Sequence, residues 1–133
     1  MINEINYQLQ TKIWFSSLIL APVLLFISQF YWTNGVLTGT AGWIQVLSFT
    51  FWISAFDGMF SLVKDKMPRY VAFGFLIAIY ACVGGNNFGI DGIYGEAIGI
   101  NDVEAKNTLH EKLGIGGIIS LYLPGRLFPL SII

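Results

Sequence analysis

Two charged residues lie within otherwise apolar stretches of the sequence, Asp57 in WIQVLSFTFWISAFDGMFSLV and Arg126 in IGGIISLYLPGRLFPLSII. A carboxylate at the centre of a membrane helix costs roughly 2.5 to 3.5 kcal/mol on insertion scales, so it needs a partner or a proton. Counted from Trp43 and Gly114, Asp57 and Arg126 reach similar depths, about 21 Å and 18 Å at 1.5 Å per residue. The sequence therefore predicts an intramembrane ion pair between these two residues.

This predicted pair has two interpretations. It could relay protons or a substrate, or it could only fix how the last membrane helix docks on the second. Function usually recruits several intramembrane polar groups. The other polar residues of the second helix are mainly Ser and Thr, which can bond to their own backbone. The structural interpretation is therefore favoured.

His110 is the only histidine in the chain, with Glu111 beside it and Glu104 earlier on the same predicted helix. These three residues are the candidates for a metal site, because imidazole and carboxylate groups both ligate zinc. A zinc site normally takes several His or Cys ligands, however, and the single cysteine, Cys82, lies in an apolar run. No metal and no cofactor is predicted. The sequence contains no P-loop, HExxH, GxGxxG or nucleophile elbow, so an enzyme is the less favoured interpretation.

The composition is that of a membrane protein. Of 133 residues, 55% are hydrophobic and 11% are charged, whereas a soluble domain carries roughly 25% charged residues. The pattern predicts an all-α integral membrane protein, a single helical-bundle domain over residues 1–133 with bound lipid. Four transmembrane helices are predicted, at about 13–32, 43–63, 70–89 and 115–133, the last one broken by two prolines. The alternative is three spans and a fourth segment that enters partway and turns back.

Basic residues predict the orientation. Lys64, Lys66 and Arg69 cluster between the second and third predicted spans, and the positive-inside rule places such a loop in the cytoplasm. Both termini are then cytoplasmic, and an acidic, glycine-rich loop at about 86–112 is external. We expect a multi-pass protein of a bacterial or archaeal cytoplasmic membrane.

Residues 84–102 read GGNNFGIDGIYGEAIGIND, in which several glycines follow a helical period. Each glycine inside a helix costs about 0.8–1.0 kcal/mol relative to alanine. Turns are therefore predicted after about Gly89, outside the bilayer. Small residues allow helices to approach closely, and four glycines are predicted to serve this purpose: Gly85, Gly89, Gly114 and Gly117.

Three functional classes remain. A net charge of −1 argues against nucleic acid as a partner, so the expected partners are membrane lipids and other integral membrane subunits. The favoured interpretation is a non-catalytic accessory or structural subunit of a larger membrane complex. The alternative is a small homo-oligomeric transporter or channel that uses Asp57 and Arg126, although a permeation route would show more polar residues along one helix face. A membrane enzyme that uses His110 is third.

Overall fold

The structure, a computed structural model, describes residues 2–100 and 102–131 and is about 87% helical. Its main elements are α1 (Ile2–Ser28), α2 (Gly39–Val63) and α3 (Pro68–Ala97). Within the described residues, these three helices are the ones that are long and apolar enough to cross a membrane. The chain is thus an all-α protein of a kind compatible with a multi-pass membrane protein.

A short β-hairpin joins α1 to α2. After a 3₁₀ turn at Gln29–Tyr31, strands β1 (Trp32–Thr33) and β2 (Val36–Leu37) pair antiparallel. Asn34 and Gly35 between them have φ angles of 52° and 75°, and Asn-Gly is the sequence that such two-residue turns prefer. Thr38 then caps α2, since its side chain accepts a hydrogen bond from the Ala41 N–H at 3.2 Å. The hairpin reverses the chain, and α2 packs antiparallel on α1.

Helix α3 extends to Ala97, so the predicted turns after Gly89 are wrong. The glycines of this segment face neighbouring elements at short range: a Cβ at Gly89 would lie 2.8 Å from the Gly42 carbonyl oxygen, and one at Gly92 would lie 2.7 Å from Leu37 Cδ2. Close packing of this kind offsets the low helix propensity of glycine, because most helical stability in a protein comes from tertiary contacts.

The last part of the chain is a broken helix. Asp102 caps α4 (Val103–Gly117) through a 2.8 Å hydrogen bond from the Ala105 N–H. The helix breaks at Gly114, and a π-helical turn then leads into the short helix α5 (Leu123–Leu127). A 3₁₀ turn over residues 129–131 ends the described chain, so the final residues of the predicted span 115–133 lie outside it.

The core lies between α2 and α3. Phe56, Phe60, Ala78 and Cys82 form a buried cluster against which Phe128 packs. The Phe128 ring lies edge-on to three aromatic rings of α2, with centroid distances of 5.3 to 6.0 Å. The chain after Gly114 therefore enters the bundle to the level of Phe56, and does not remain at its surface.

Candidate functional site

Four polar side chains meet at the end of the bundle that carries the hairpin. Asp91 on α3 accepts hydrogen bonds from Lys106 Nζ on α4, at 2.7 Å both to its carboxylate and to its main-chain carbonyl. His110 Nε2 lies 3.3 Å from the same carboxylate oxygen, and His110 Nδ1 lies 3.0 Å from the Tyr122 hydroxyl. We call these residues, Asp91, Lys106, His110 and Tyr122, the hairpin-end cluster.

Local features of the sequence position this cluster. The Asp102 cap fixes the start of α4, and the four-residue spacing of Lys106 and His110 places both on one helix face, toward α3. Gly95 leaves room for the ammonium group, because a Cβ there would lie 2.5 Å from Lys106 Nζ. The break at Gly114, where φ is 54°, turns the chain so that Tyr122 comes back to His110.

The cluster borders a small cavity and is largely withdrawn from solvent. The side chains of Lys106 and His110 are 9% and 10% exposed, and that of Asp91 is 16% exposed. The cavity measures about 170 Å³, and Trp32 and Phe88 form its aromatic wall. Since the charges of Asp91 and Lys106 compensate each other and both His110 nitrogens are occupied, the arrangement suits a structural contact between α3 and α4 better than ligand capture.

Glu104 and Glu111, the other two metal candidates, are exposed residues of α4. Across the described part of the chain, no group of three or more His, Cys, Asp and Glu side chains is arranged to hold a metal ion. Sequence reasoning missed Asp91 and Lys106 as partners of His110. The Lys106–His110 spacing is a signal that could have found them, but a chain that turns after Gly89 would place Asp91 in an external loop.

Asp57 lies near the other end of α2, six residues before Val63 and so about 9 Å from the end of the helix. Its carboxylate is exposed and accepts a 3.0 Å hydrogen bond from Trp14 Nε1 on α1. It borders a cavity of about 380 Å³ that is also lined by Lys64. A carboxylate near a helix end costs less than one at the centre of the membrane, since water is closer.

Arg126 lies elsewhere, in a cavity of about 310 Å³ lined by Gln45 and Phe49 of α2. Among the described residues the ion pairs join Asp91 to Lys106 and His110, and none joins Asp57 to Arg126. The predicted pair is therefore not formed within the chain. The depth estimate assumed a straight helix from Gly114, whereas the chain bends there and has a π-helical turn before Arg126.

The four glycines predicted at helix contacts divide into two groups. Gly85 packs against the Phe49 ring and Gly89 against Gly42, so these two bring α3 close to α2 within the same chain. A Cβ at Gly114 would have no atom within 4 Å, and the three atoms nearest to a Cβ at Gly117 belong to its own segment, the closest being Leu113 Cβ at 3.0 Å. Gly114 instead provides the positive φ that the break requires.

Three helices that are long and apolar enough to cross a membrane are consistent with an all-α membrane protein. No protein-family model matches the chain, and neither the curated proteins nor the solved structures contain a match.

Proposed function

We propose that this protein is a non-catalytic accessory subunit of a larger integral membrane complex and packs against helices of partner subunits. The observation that carries the proposal is the environment of Arg126. This side chain is exposed beside the middle of α2 and α3, and in the described part of the chain it has no ion-pair partner. Charged groups inside a membrane pair with one another, and a second subunit can supply the missing anion.

The proposal includes a topology. A fourth membrane-embedded segment begins at about Ile115 and runs toward the cytoplasm, and the packing of Phe128 against the core supports its insertion. Lys64, Lys66 and Arg69 mark the cytoplasmic side of a bacterial or archaeal membrane. The hairpin and the hairpin-end cluster then face the exterior.

The topology can be tested by labelling single cysteines in intact cells, in a Cys82→Ala background. Lys112→Cys should react with a membrane-impermeant maleimide before lysis, and Lys66→Cys only after lysis. The reverse pattern would show the opposite orientation. Labelling of both residues before lysis would show that they lie on the same side of the membrane, which contradicts a single crossing by α3.

A homo-oligomeric transporter that uses Asp57 and Arg126 is less well supported. The two side chains line separate cavities, and hydroxyl groups of α2 are bonded to helix carbonyls: Ser48 to Ala21 at 2.7 Å and Ser61 to Gly58 at 2.8 Å. These contacts stabilise helix packing and leave few polar groups free to line a continuous path.

The content of the particle extracted in a mild detergent tests the proposal. A tagged copy should co-purify with different membrane subunits in fixed stoichiometry, measured by native mass spectrometry, and an untagged strain provides the background. A particle that contains only this chain would contradict the accessory role and favour the transporter. Retained haem, pigment or metal would instead favour an enzyme.

A further inference from the structure

The cavity beside Arg126 contains a second polar group without a partner. We call this space, about 310 Å³ in volume, the mid-span cavity; Gln45, Phe49, Gly84 and Arg126 are among its lining residues. Gln45 is only 4% exposed, and in the described structure its buried Oε1 atom accepts no hydrogen bond. A buried acceptor without a donor destabilises a protein, so this atom indicates that the cavity is incomplete in the isolated chain.

Within the described residues, Arg126 lacks an anion and Gln45 Oε1 lacks a hydrogen-bond donor. An anion that holds the Arg126 guanidinium in the cavity would supply both, because the guanidinium could then also donate to Gln45. A guanidinium has five N–H donors in a planar fork. Two of them can bind one carboxylate in a bidentate manner, and the others remain available to donate to Gln45 Oε1. A lysine ammonium group would lack this planar geometry. The chemistry of the mid-span cavity is therefore complementary to a carboxylate.

The depth of the cavity indicates where that carboxylate comes from. Gln45 and Phe49 lie about 9 Å and 15 Å along α2 from Gly39, within the apolar part of the helix. Lipid phosphates lie at the membrane surface, outside the ~30 Å hydrocarbon layer. An acidic side chain on a neighbouring membrane helix can reach this depth.

The exposed carboxylate that α2 of a second copy would offer, that of Asp57, does not lie at the required depth. The exposed carboxylate of Asp57 lies eight residues beyond Phe49 on α2, about 12 Å farther from the hairpin end. Copies that share one orientation in a membrane have their equivalent residues at equal depths. The Asp57 side chain of one copy would therefore miss the Arg126 side chain of another.

Space for a neighbouring helix exists next to Arg126. Gly125 is exposed, and no atom lies within 4 Å of a Cβ built on it. A glycine with open space beside it allows the backbone of another helix to approach closely, which shortens the distance that an acidic side chain must bridge to reach Arg126.

We propose that the mid-span cavity binds an aspartate or glutamate side chain carried by a membrane helix of a different subunit. Arg126 binds this carboxylate, and Gln45 accepts a hydrogen bond from one of the remaining guanidinium N–H groups. The inference rests on the proposed accessory role and identifies the chemistry of the partner.

The test compares tagged variants of the full chain, purified from their native membrane, by the amount of each co-purified subunit per tagged copy. Arg126→Leu should reduce one subunit at least about tenfold, because the partner carboxylate is left buried and unpaired. Arg126→Lys should retain an intermediate amount, and Gln45→Leu should cause a smaller loss. Lys66→Gln, which removes a charge in the loop before α3, is the matched control and should change nothing.

A charge exchange completes the test. Each membrane-embedded Asp or Glu of the lost subunit is neutralised in turn, and one of these changes should reproduce the loss of association seen in Arg126→Leu. Arg126→Asp, combined with an arginine at that position of the partner, should restore the association. The thermal transition of each variant in detergent shows whether it folds. If Arg126→Leu does not fold, Arg126→Gln is used in its place.

The outcomes separate the inference from the proposed function. If the wild-type particle contains no other subunit, both fail. If another subunit is present and remains at wild-type levels in Arg126→Leu, or if no carboxylate of that subunit reproduces the loss, the accessory role stands and the inference is overturned. If Arg126→Leu loses a bound anionic lipid while all subunits remain, the cavity binds a lipid phosphate, and the inference is again overturned.

Discussion

Helices α2 and α3 are held together in a different way from the last segment, residues 103–131. Between α2 and α3, small residues bring the backbones into contact, as where Gly42 meets Gly89. The last segment is attached to α3 by polar side chains as well as by packing. Pro124 packs against Gly84, Lys106 binds Asp91, and the Tyr80 hydroxyl and the Asn87 amide donate to carbonyls of the π-helical turn.

The two interfaces hold helices together in two different ways. In lipid the hydrophobic effect does not drive helices together, so association depends on van der Waals packing and on hydrogen bonds between helices. The regular helices α2 and α3 can use packing along their whole length. The broken segment exposes main-chain carbonyls at its breaks, and α3 satisfies them with side-chain donors.

The largest effect is expected where the packing contact involves main chain. In Gly89→Val, the new Cβ would lie 2.8 Å from the Gly42 carbonyl oxygen and 2.9 Å from Val46 Cγ2. The helices would have to separate, at a cost of about 3 kcal/mol or more. Thermal unfolding in detergent measures the loss. Gly116→Val is the control, since no atom lies within 4 Å of a Cβ there; equal stability of both variants would refute the steric description of the α2–α3 interface.

A smaller loss is expected where polar contact dominates. Lys106→Met leaves the Asp91 carboxylate without its main cation. We expect destabilisation of about 2 kcal/mol, less than the ~3–5 kcal/mol for breaking a fully buried pair, because Asp91 keeps His110 and some solvent exposure. Proteolysis at the connection before α4 should increase as the segment detaches. Lys112→Met, on the exposed side of α4, is the control; similar proteolysis in both variants would show that the ion pair does not hold α4.

The hydrogen bond between Trp14 of α1 and Asp57 of α2 is exposed. Its removal tests whether such a bond adds to the stability that packing provides. Trp14→Phe removes the hydrogen bond to Asp57 but keeps an aromatic ring against Gly58. A loss of about 1 kcal/mol is expected, since the bond involves a charged acceptor that water partly solvates. Trp43→Phe, at a residue that is 62% exposed, should have no effect on the unfolding temperature. The hydrogen bond is unimportant if both variants unfold together.

The smallest effect is expected at the start of α2. The Glu96 carboxylate accepts a hydrogen bond from the Gly39 N–H, at the positive end of the helix dipole, where Thr38 already caps the helix. Glu96→Gln should therefore cost only about 0.5 kcal/mol, and high salt should diminish the difference. Unfolding curves at low and high salt measure it, with Glu111→Gln as the control. A salt-independent difference would exclude a dipole effect.

The long apolar helices could be predicted because the signal is local. An apolar run of about 20 residues is long enough to cross a bilayer whatever its neighbours are. The predicted spans 43–63 and 70–89 accordingly fall within α2 and α3, and the single breaking residue Pro22 lies inside α1 without ending it. The hairpin was missed, although Asn34 and Gly35 were visible, because its strands have only two residues each.

Residues that depend on distant parts of the chain could not be predicted in the same way. The glycines of α3 favour turns when judged alone. Contacts with distant residues, such as Gly42, Phe49 and Leu37, make a helix the better solution. Asp91 looks like a solvated acid in the sequence because its partners are 15 and 19 residues farther along the chain.

The sequence by itself determined that this is an all-α protein with long apolar helices, because hydropathy and helix length are properties of single segments. The tertiary structure decided which polar groups meet. A positive φ at one residue, Gly114, brings Tyr122 to His110 and places Arg126 beside Gln45 instead of Asp57. Residue spacing along a presumed straight helix does not contain this bend, because the spacing assumes helical φ and ψ at every residue.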